Sequence, residues 1–231
     1  MLLVGGCAVS DFEMVIRGGT IVNAAEISQC DIGINGGRIV ALGENLGPGA
    51  KEIDATGKLV MPGGIDSHCH IDQRSSGGGR NSETFESGTR SAACGGTTTI
   101  ICFAAQEKGE LLTPVVEEYH EKAKRSCVDY SFHLIISDPS DQVMNEEVPK
   151  LIESGHRSLK LFMTYPRNRL NDAEILKVLE VAKLNKALVC VHAENHDAIM
   201  YMTEKLLAAD KNSTKHHAWA KPPVVEREAV H

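Results

Sequence analysis

Two histidines one residue apart, His68 and His70, close an apolar stretch that begins Met61-Pro62-Gly63-Gly64-Ile65. The stretch reads as a short buried strand. In a strand alternate side chains share a face, so both imidazoles point one way and Cys69 points the other. Two imidazoles converging from one strand end can hold a single metal ion, and imidazole suits zinc and its first-row neighbours. His-x-His also arises by chance, so the pair gains its weight from two further candidates at later strand ends. Lys160 lies between Leu159 and Leu161 in an apolar run, where lysine is almost never fully buried without a partner. Its ammonium either snorkels outward or is aimed into a site. His192 closes the run Leu188-Val189-Cys190-Val191, and alone it reads as a satisfied core group.

These residues need elements to hold them. From Phe12 to Leu59 the pattern is short strands and turns. Met14-Val15-Ile16 and Thr20-Ile21-Val22 flank the turn signal Arg17-Gly18-Gly19, and Asn35-Gly36-Gly37 predicts a tight hairpin between Asp31–Ile34 and Arg38–Leu42. From Met61 the rhythm becomes strand, loop, helix. Ser82 is a cap for a helix through Cys94, and Thr113-Pro114 starts another that runs to about Ser126. Asn145 caps a short helix carrying Val148, Leu151 and Ile152. Asn171 or Asp172 opens one whose apolar face is Ile175, Leu176, Leu179 and Ala182. Strands fall at Thr97–Phe103, Tyr130–Ile136, Leu159–Met163 and Ala187–Val191. Apolar strands alternating with helices argue for a parallel sheet covered on both faces. An open doubly wound sheet satisfies that pattern. Chemistry collected at the C-terminal ends of strands one, four and five favours a barrel instead.

Four stretches in order, Pro62–Asp72, Gly95-Gly96-Thr97-Thr98-Thr99, Ser158–Tyr165 and Val191-His192-Ala193-Glu194-Asn195, together resemble the hydantoinase and dihydropyrimidinase group of the amidohydrolase superfamily. The resemblance implies a metal-dependent hydrolase that opens a hydantoin or dihydropyrimidine ring to an N-carbamoyl amino acid. It implies two divalent metal ions, zinc by preference, held by His68, His70, His192 and a bridging Lys160 carboxylated on its amine. Burial lowers a lysine's pKa and so supplies the neutral amine that reacts with carbon dioxide. Tyr165 matches a tyrosine that hydrogen-bonds the carbonyl oxygen as it becomes an oxyanion, where the plainer reading is a loop tyrosine beside Pro166. The loops Asp72–Asn81 and Thr164–Asn171 would overhang the mouth. The implied fold is a partial TIM (β/α)₈ barrel over residues 61–231, with residues 1–60 forming part of a small β-sandwich. About five strand–helix units are visible, where a closed barrel needs eight and ~250 residues. The expectation is therefore a fragment or truncated product. The family's remaining ligands, a histidine after strand six and an aspartate after strand eight that shuttles the proton, would lie beyond His231. Dihydroorotases place an arginine two residues after the second histidine to hold a substrate carboxylate, and here that position is Asp72. An uncharged ring is therefore the expected substrate. Allantoinases share the metal cluster. Non-catalytic relatives of dihydropyrimidinase have lost the ligands that this chain keeps.

Composition bounds the remainder. The 231 residues carry a net charge of −7 and no basic cluster that could track a phosphate backbone, which disfavours nucleic acid as a partner. Gly77-Gly78-Gly79-Arg80 lacks the Gly-Lys-Ser/Thr of a phosphate cradle and reads as loop glycine. The seven cysteines are odd in number and scattered without a Cys-x-x-Cys pair, which favours free thiols and a cytoplasmic setting. No apolar run reaches the ~20 residues of a membrane span. Met1–Cys7 reads as a disordered leader, short of the roughly 7–15 apolar residues of a signal h-region. His133, mid-strand, reads as a core or supporting group rather than a ligand. His120, His156, His196, His216 and His217 need no special role, and Lys221–Glu226 is a surface turn into a further helix. Family likeness also suggests a homo-oligomer acting on a small molecule.

Overall fold

A computed structural model describes residues 10–75 and 79–231; the leader Met1–Cys7, and Gly77 and Gly78 of the glycine run, lie outside them. The chain divides at Gly63/Gly64 into two compact units.

The first unit is one five-stranded sheet: β1 (Phe12–Val22), β2 (Ile27–Asn35), β3 (Arg38–Gly43), β4 (Gly49–Asp54) and β5 (Leu59–Val60), with β1 paired to β2, β4 and β5. Gly36 and Gly37 both take positive φ, 57° and 70°, and turn β2 into β3 as a two-residue hairpin. The expected turn at Arg17-Gly18-Gly19 is instead a bulge inside the continuous strand β1, where the register against β2 shifts between Ile16 and Gly19. Gly18 takes φ 64° there and donates its N–H to Asp31 Oδ1 at 2.9 Å. Arg17 then ties Asp31 on β2 to Glu52 on β4, and its guanidinium helps hold the Glu52 carboxyl down at about 2. A Gly-Gly pair permits either a turn or a bulge, and the pairing across β1 decides for the bulge.

The second unit holds a parallel sheet in the order β12-β11-β10-β9-β6. Along the chain it runs β6 (Gly64–Cys69), a small ribbon of β7 (Arg74–Ser75) with β8 (Gly79–Arg80), α1 (Phe85–Cys94), β9 (Thr97–Ala105), α2 (Leu112–Ala123) and β10 (Asp129–Ile135). A π-helical turn, Val143–Glu147, leads into α3 (Val148–Glu153), followed by β11 (Ser158–Phe162), α4 (Asp172–Leu184), β12 (Leu188–His192), α5 (His196–Ala208), α6 (His217–Ala220) and α7 (Pro223–Val230). Period-two alternation sorts the central strands into two buried faces. Ile100, Cys102 and Ala104 of β9, Phe132 and Leu134 of β10, and Leu159 and Leu161 of β11 pack with the helices into one core. Phe103, His133, Ile135 and Lys160 occupy the intervening positions, and all are buried.

Several expectations change. Helix α1 is capped by Thr84 rather than Ser82, in a capping box with Ser87 (Ser87 N–H to Thr84 Oγ1, 3.2 Å; Thr84 N–H to Ser87 Oγ, 3.0 Å). Helix α2 has no local side-chain cap. Its first N–H groups, of Leu112 and Thr113, donate to the Glu147 carboxylate at 2.8 and 3.2 Å, across a sequence separation no local rule reads. Asn145 lies inside the π-turn and caps nothing there. On α4 the buried positions are Val178 and Ala182, with Ile175 packed against them, while Leu176 and Leu179 are exposed. Both choices satisfy a helical period, and packing into the core selects the arc of Ile175, Val178 and Ala182. Strand β6 is not buried. It is an outermost strand paired on one side, to β9, and Gly64–His68 are exposed. Leu188 and Val191 on the opposite outer strand β12 are likewise exposed.

Candidate active site

The C-terminal ends of β6, β9, β11 and β12 bring the chemistry to one place, and two phenylalanines form its floor. His68 meets Phe103 edge-on with ring centroids 4.7 Å apart, and His70 stacks on the same ring at 4.6 Å. Lys160 Nζ lies 5.8 Å from the centre of Phe103 and 5.0 Å from that of Phe162. Phe162 in turn stacks on His192 at 5.6 Å, its register partner across β11 and β12. Lys160 is therefore inward, not snorkelling, with 6% of its surface exposed. Burial in this setting lowers its pKa, because the charged form loses water without gaining a paired carboxylate. Burial also lowers the pKa of His68, helped by the nearby Lys160, His70 and His133.

The imidazoles are held at chosen nitrogens. His70 Nδ1 donates to Gln73 Oε1 at 2.6 Å, which leaves Nε2 free, and Asn81 Nδ2 donates to the His70 carbonyl at 2.9 Å. His133 acts as a brace. Its Nε2 donates to the Ser67 carbonyl at 2.8 Å and its Nδ1 accepts from the Ser158 hydroxyl at 2.6 Å, joining β6 to β11 through β10. A carbonyl only accepts, so that bond fixes the tautomer. His192 Nε2 lies 2.7 Å from Glu194 Oε2, and Lys221 Nζ reaches the two oxygens of Glu194 at 2.9 and 3.3 Å. Burial would raise the Glu194 carboxyl, but hydrogen bonds from His192 and Lys221 hold it below the usual range. Lys221 is thus a half-buried partner of this network and not a simple surface turn.

Tyr165 takes φ 66°, a left-handed conformation costly for a bulky residue. Its carbonyl accepts from Asn168 N–H at 2.9 Å and Arg169 N–H at 2.8 Å, which closes the loop after β11. Its ring sits 5.1 Å from that of His192. His68, His70, Lys160, Tyr165 and His192 all line one cavity of about 890 Å³. Gln73, Arg74 and Asn81 line it from the loop after β6, and Arg167 and Asn168 from the loop after β11. Asp72 turns its carboxylate to Arg80 at 2.9 Å, and Arg74 is engaged by Glu110 and Glu118 at 3.2 and 3.4 Å.

Among the described residues, no three His, Cys, Asp or Glu side chains converge closely enough to hold an ion by themselves. The further group against the two histidines is Lys160. As an ammonium it repels a cation; as a carbamate it would supply two oxygens. Three imidazoles and a carbamate suit zinc and its neighbours, so the donor set fits a metal centre on that condition. Phe103, Gln73 and Lys221 carried no warning in the sequence. The one available signal was Glu194, two residues after His192 and thus within reach of its ring.

The family description "Amidohydrolase family" matches residues 59–227. The chain is 42% identical to a D-hydantoinase of Ralstonia pickettii over 220 residues, which cover 94% of this chain and 48% of that protein. It is 46% identical to a D-hydantoinase of Geobacillus stearothermophilus, covering 94% and 46%. A crystal structure of dihydropyrimidinase from Brevibacillus agri superposes with a TM-score of 0.89 at 41% identity, over 94% of this chain and 47% of that one. The chain spans about half the length of the curated relatives it matches.

Proposed function

The chain belongs to the amidohydrolase family, and from that premise we propose that its protein hydrolyses an uncharged cyclic amide, opening a hydantoin or dihydropyrimidine ring to an N-carbamoyl amino acid. The observation that carries the reading is the gathering of His68, His70, Lys160, Tyr165 and His192 around one cavity. In this reading the parallel sheet is part of a (β/α)₈ barrel, residues 1–60 belong to a β-sandwich, and residues 61–231 are barrel. The setting is cytoplasmic and the assembly a homo-oligomer. Among the described residues no helix is long and apolar enough to cross a membrane.

His68, His70, His192 and carboxylated Lys160 would hold two divalent ions, zinc by donor type, which when bound supply Lewis acidity that activates water and polarises a carbonyl. The chain's own groups prepare the rest. Burial of Lys160 raises the fraction of its amine that is neutral, and that form adds to carbon dioxide: an N–C bond forms, one C=O π bond opens to an oxyanion, one proton leaves to solvent, and the carbamate is an anion that a cation stabilises. Gln73 presents Nε2 of His70 to the cavity. Tyr165, held over the mouth by its closed loop, donates its hydroxyl hydrogen to the ring carbonyl oxygen as negative charge develops there. The preference for an uncharged ring is supported by the sequence position two residues after His70, which holds Asp72, paired with Arg80, and no arginine free to take a substrate carboxylate.

The test is a comparison of kcat/KM for hydantoin, dihydrouracil and dihydroorotate, using the natural protein at equal metal loading. The neutral rings are expected to be opened faster. A clear preference for dihydroorotate would overturn the substrate assignment.

A further inference from the structure

His192 has two ring nitrogens, and one of them is committed. Nε2 lies against Glu194 Oε2 at 2.7 Å, and the second partner of that carboxylate is the Lys221 ammonium. An ionised carboxylate can only accept, so the shared proton belongs to Nε2 and the lone pair to Nδ1. Both members of the pair are largely shielded, with side chains 15% and 22% exposed, so the geometry is not that of two solvated surface charges. The loop is anchored a second time through Asn195. Its N–H donates to the Val225 carbonyl at 2.9 Å and its Nδ2 to Glu228 Oε2 at 2.6 Å, both on α7. Lys221, which immediately precedes that helix, also sits 5.0 Å from the centre of the Tyr165 ring. One ammonium therefore touches both the partner of His192 and the aromatic face of Tyr165.

We propose that Glu194 and Lys221 are positioning residues that lock His192 as its Nε2–H tautomer, so that Nδ1 is the atom offered to a metal ion, and that Lys221 couples this orientation to the seat of Tyr165. The inference rests on the metal-centre reading given above for the role of His192, but not for the tautomer itself. It sets His192 apart from His70, which is held at Nδ1 by a neutral amide and offers Nε2. A carboxylate behind a ligating imidazole orients the ring and raises its basicity, and loss of such a partner costs about 10–100-fold in metal affinity.

The test uses the ¹⁵N-labelled natural protein. Long-range ¹H–¹⁵N spectra of the histidine rings report each tautomer without metal, with His192→Asn assigning the signal, and Co²⁺ titration followed by visible absorption reports affinity. The wild-type chain is expected to show His192 as Nε2–H. Glu194→Leu should release the ring to a mixture of tautomers and weaken Co²⁺ by about 10–100-fold. Glu194→Gln, which still accepts through Oε1, should keep the tautomer. Lys221→Met should loosen the ring and Lys221→Arg restore it, so these milder variants decide the matter if Glu194→Leu does not fold. An Nδ1–H tautomer in the wild-type chain, or the same tautomer and Co²⁺ affinity with and without Glu194, would overturn the inference. The expected tautomer in a chain that retains no Co²⁺ would instead refute the metal-centre reading and leave the positioning of the ring standing.

Discussion

On the helix-covered face of the parallel sheet the buried residues of β9, β10 and β11 are Ile100, Cys102, Ala104, Phe132, Leu134, Leu159 and Leu161, whereas on the opposite face the same strands present Phe103, His133, Ile135 and Lys160. These residues are buried on both faces, so burial class alone does not distinguish them. The difference lies in what dryness does to each. Dispersion and water exclusion reward Leu159 and Leu161 directly. Lys160 is penalised by the same exclusion, which lowers its pKa and so favours the neutral, nucleophilic form of its amine. One face therefore makes the sheet stable, and the other spends part of that stability on a reactive group.

Swapping atoms on one face at a time should separate these effects. The largest change is expected for Lys160→Met, a substitution of similar volume. It should abolish retention of zinc, measured by elemental analysis, while holding or raising the melting temperature of the metal-free chain because a buried amine disappears. Lys160→Arg should fail to restore the metal, since a guanidinium stays charged and forms no carbamate. Lys160→Ala should recover part of the metal when short carboxylic acids are added. Retention of zinc by the methionine variant would erase the proposed distinction between the faces.

On the other face, Leu161→Ala should cost roughly 2–5 kcal/mol in urea unfolding, the range for a truncated core leucine. Leu188→Ala, on the exposed outer strand, should stay within about 0.5 kcal/mol. Similar losses at both sites would mean that β12 is covered in solution.

The smallest effect is one of pH, and it arises on the hydrocarbon face. His156 packs near Phe132 with its Nε2 3.3 Å from that of His120, and burial, aided by His120, lowers its pKa. The unfolded chain titrates this group near the ordinary 6.5 and so takes up its proton first as pH falls. Stability should be intact above that value, decline as pH drops toward the folded pKa, and level off below it. His156→Leu should flatten that part of the profile in melting curves recorded from pH 7.5 to 5.5; an unchanged slope would assign the titration elsewhere.

The chemical groups were legible in the sequence because charge inside an apolar run is conspicuous. Lys160 between two leucines, and histidines at strand ends, declare themselves by contrast. Phe103 could not, since an aromatic floor under two imidazoles looks like any other core residue until the rings are seen to stack. Glu194 and Lys221 meet across 27 residues, a separation fixed only by how α5, α6 and α7 fold back. The alternation of strands and helices was readable from period alone. The choice of Val178 over Leu179 as the buried position was not, because both lie on arcs of one helix that differ by a single step.

The carboxylate of Glu147 at the head of α2 has a consequence in the order of synthesis. A chain emerging from the ribosome makes Leu112 and Thr113 well before the group that receives their N–H donors exists. The first turn of α2 stays unsatisfied until residue 147 has been added, by which time β10 is complete and the π-turn is forming. This strand–helix step is thus not finished when it leaves the ribosome. The step that holds α2 is closed by the one after it, as a tile is by its overlap, and a nascent chain paused between residues 113 and 147 holds a helix whose leading end is still open to water.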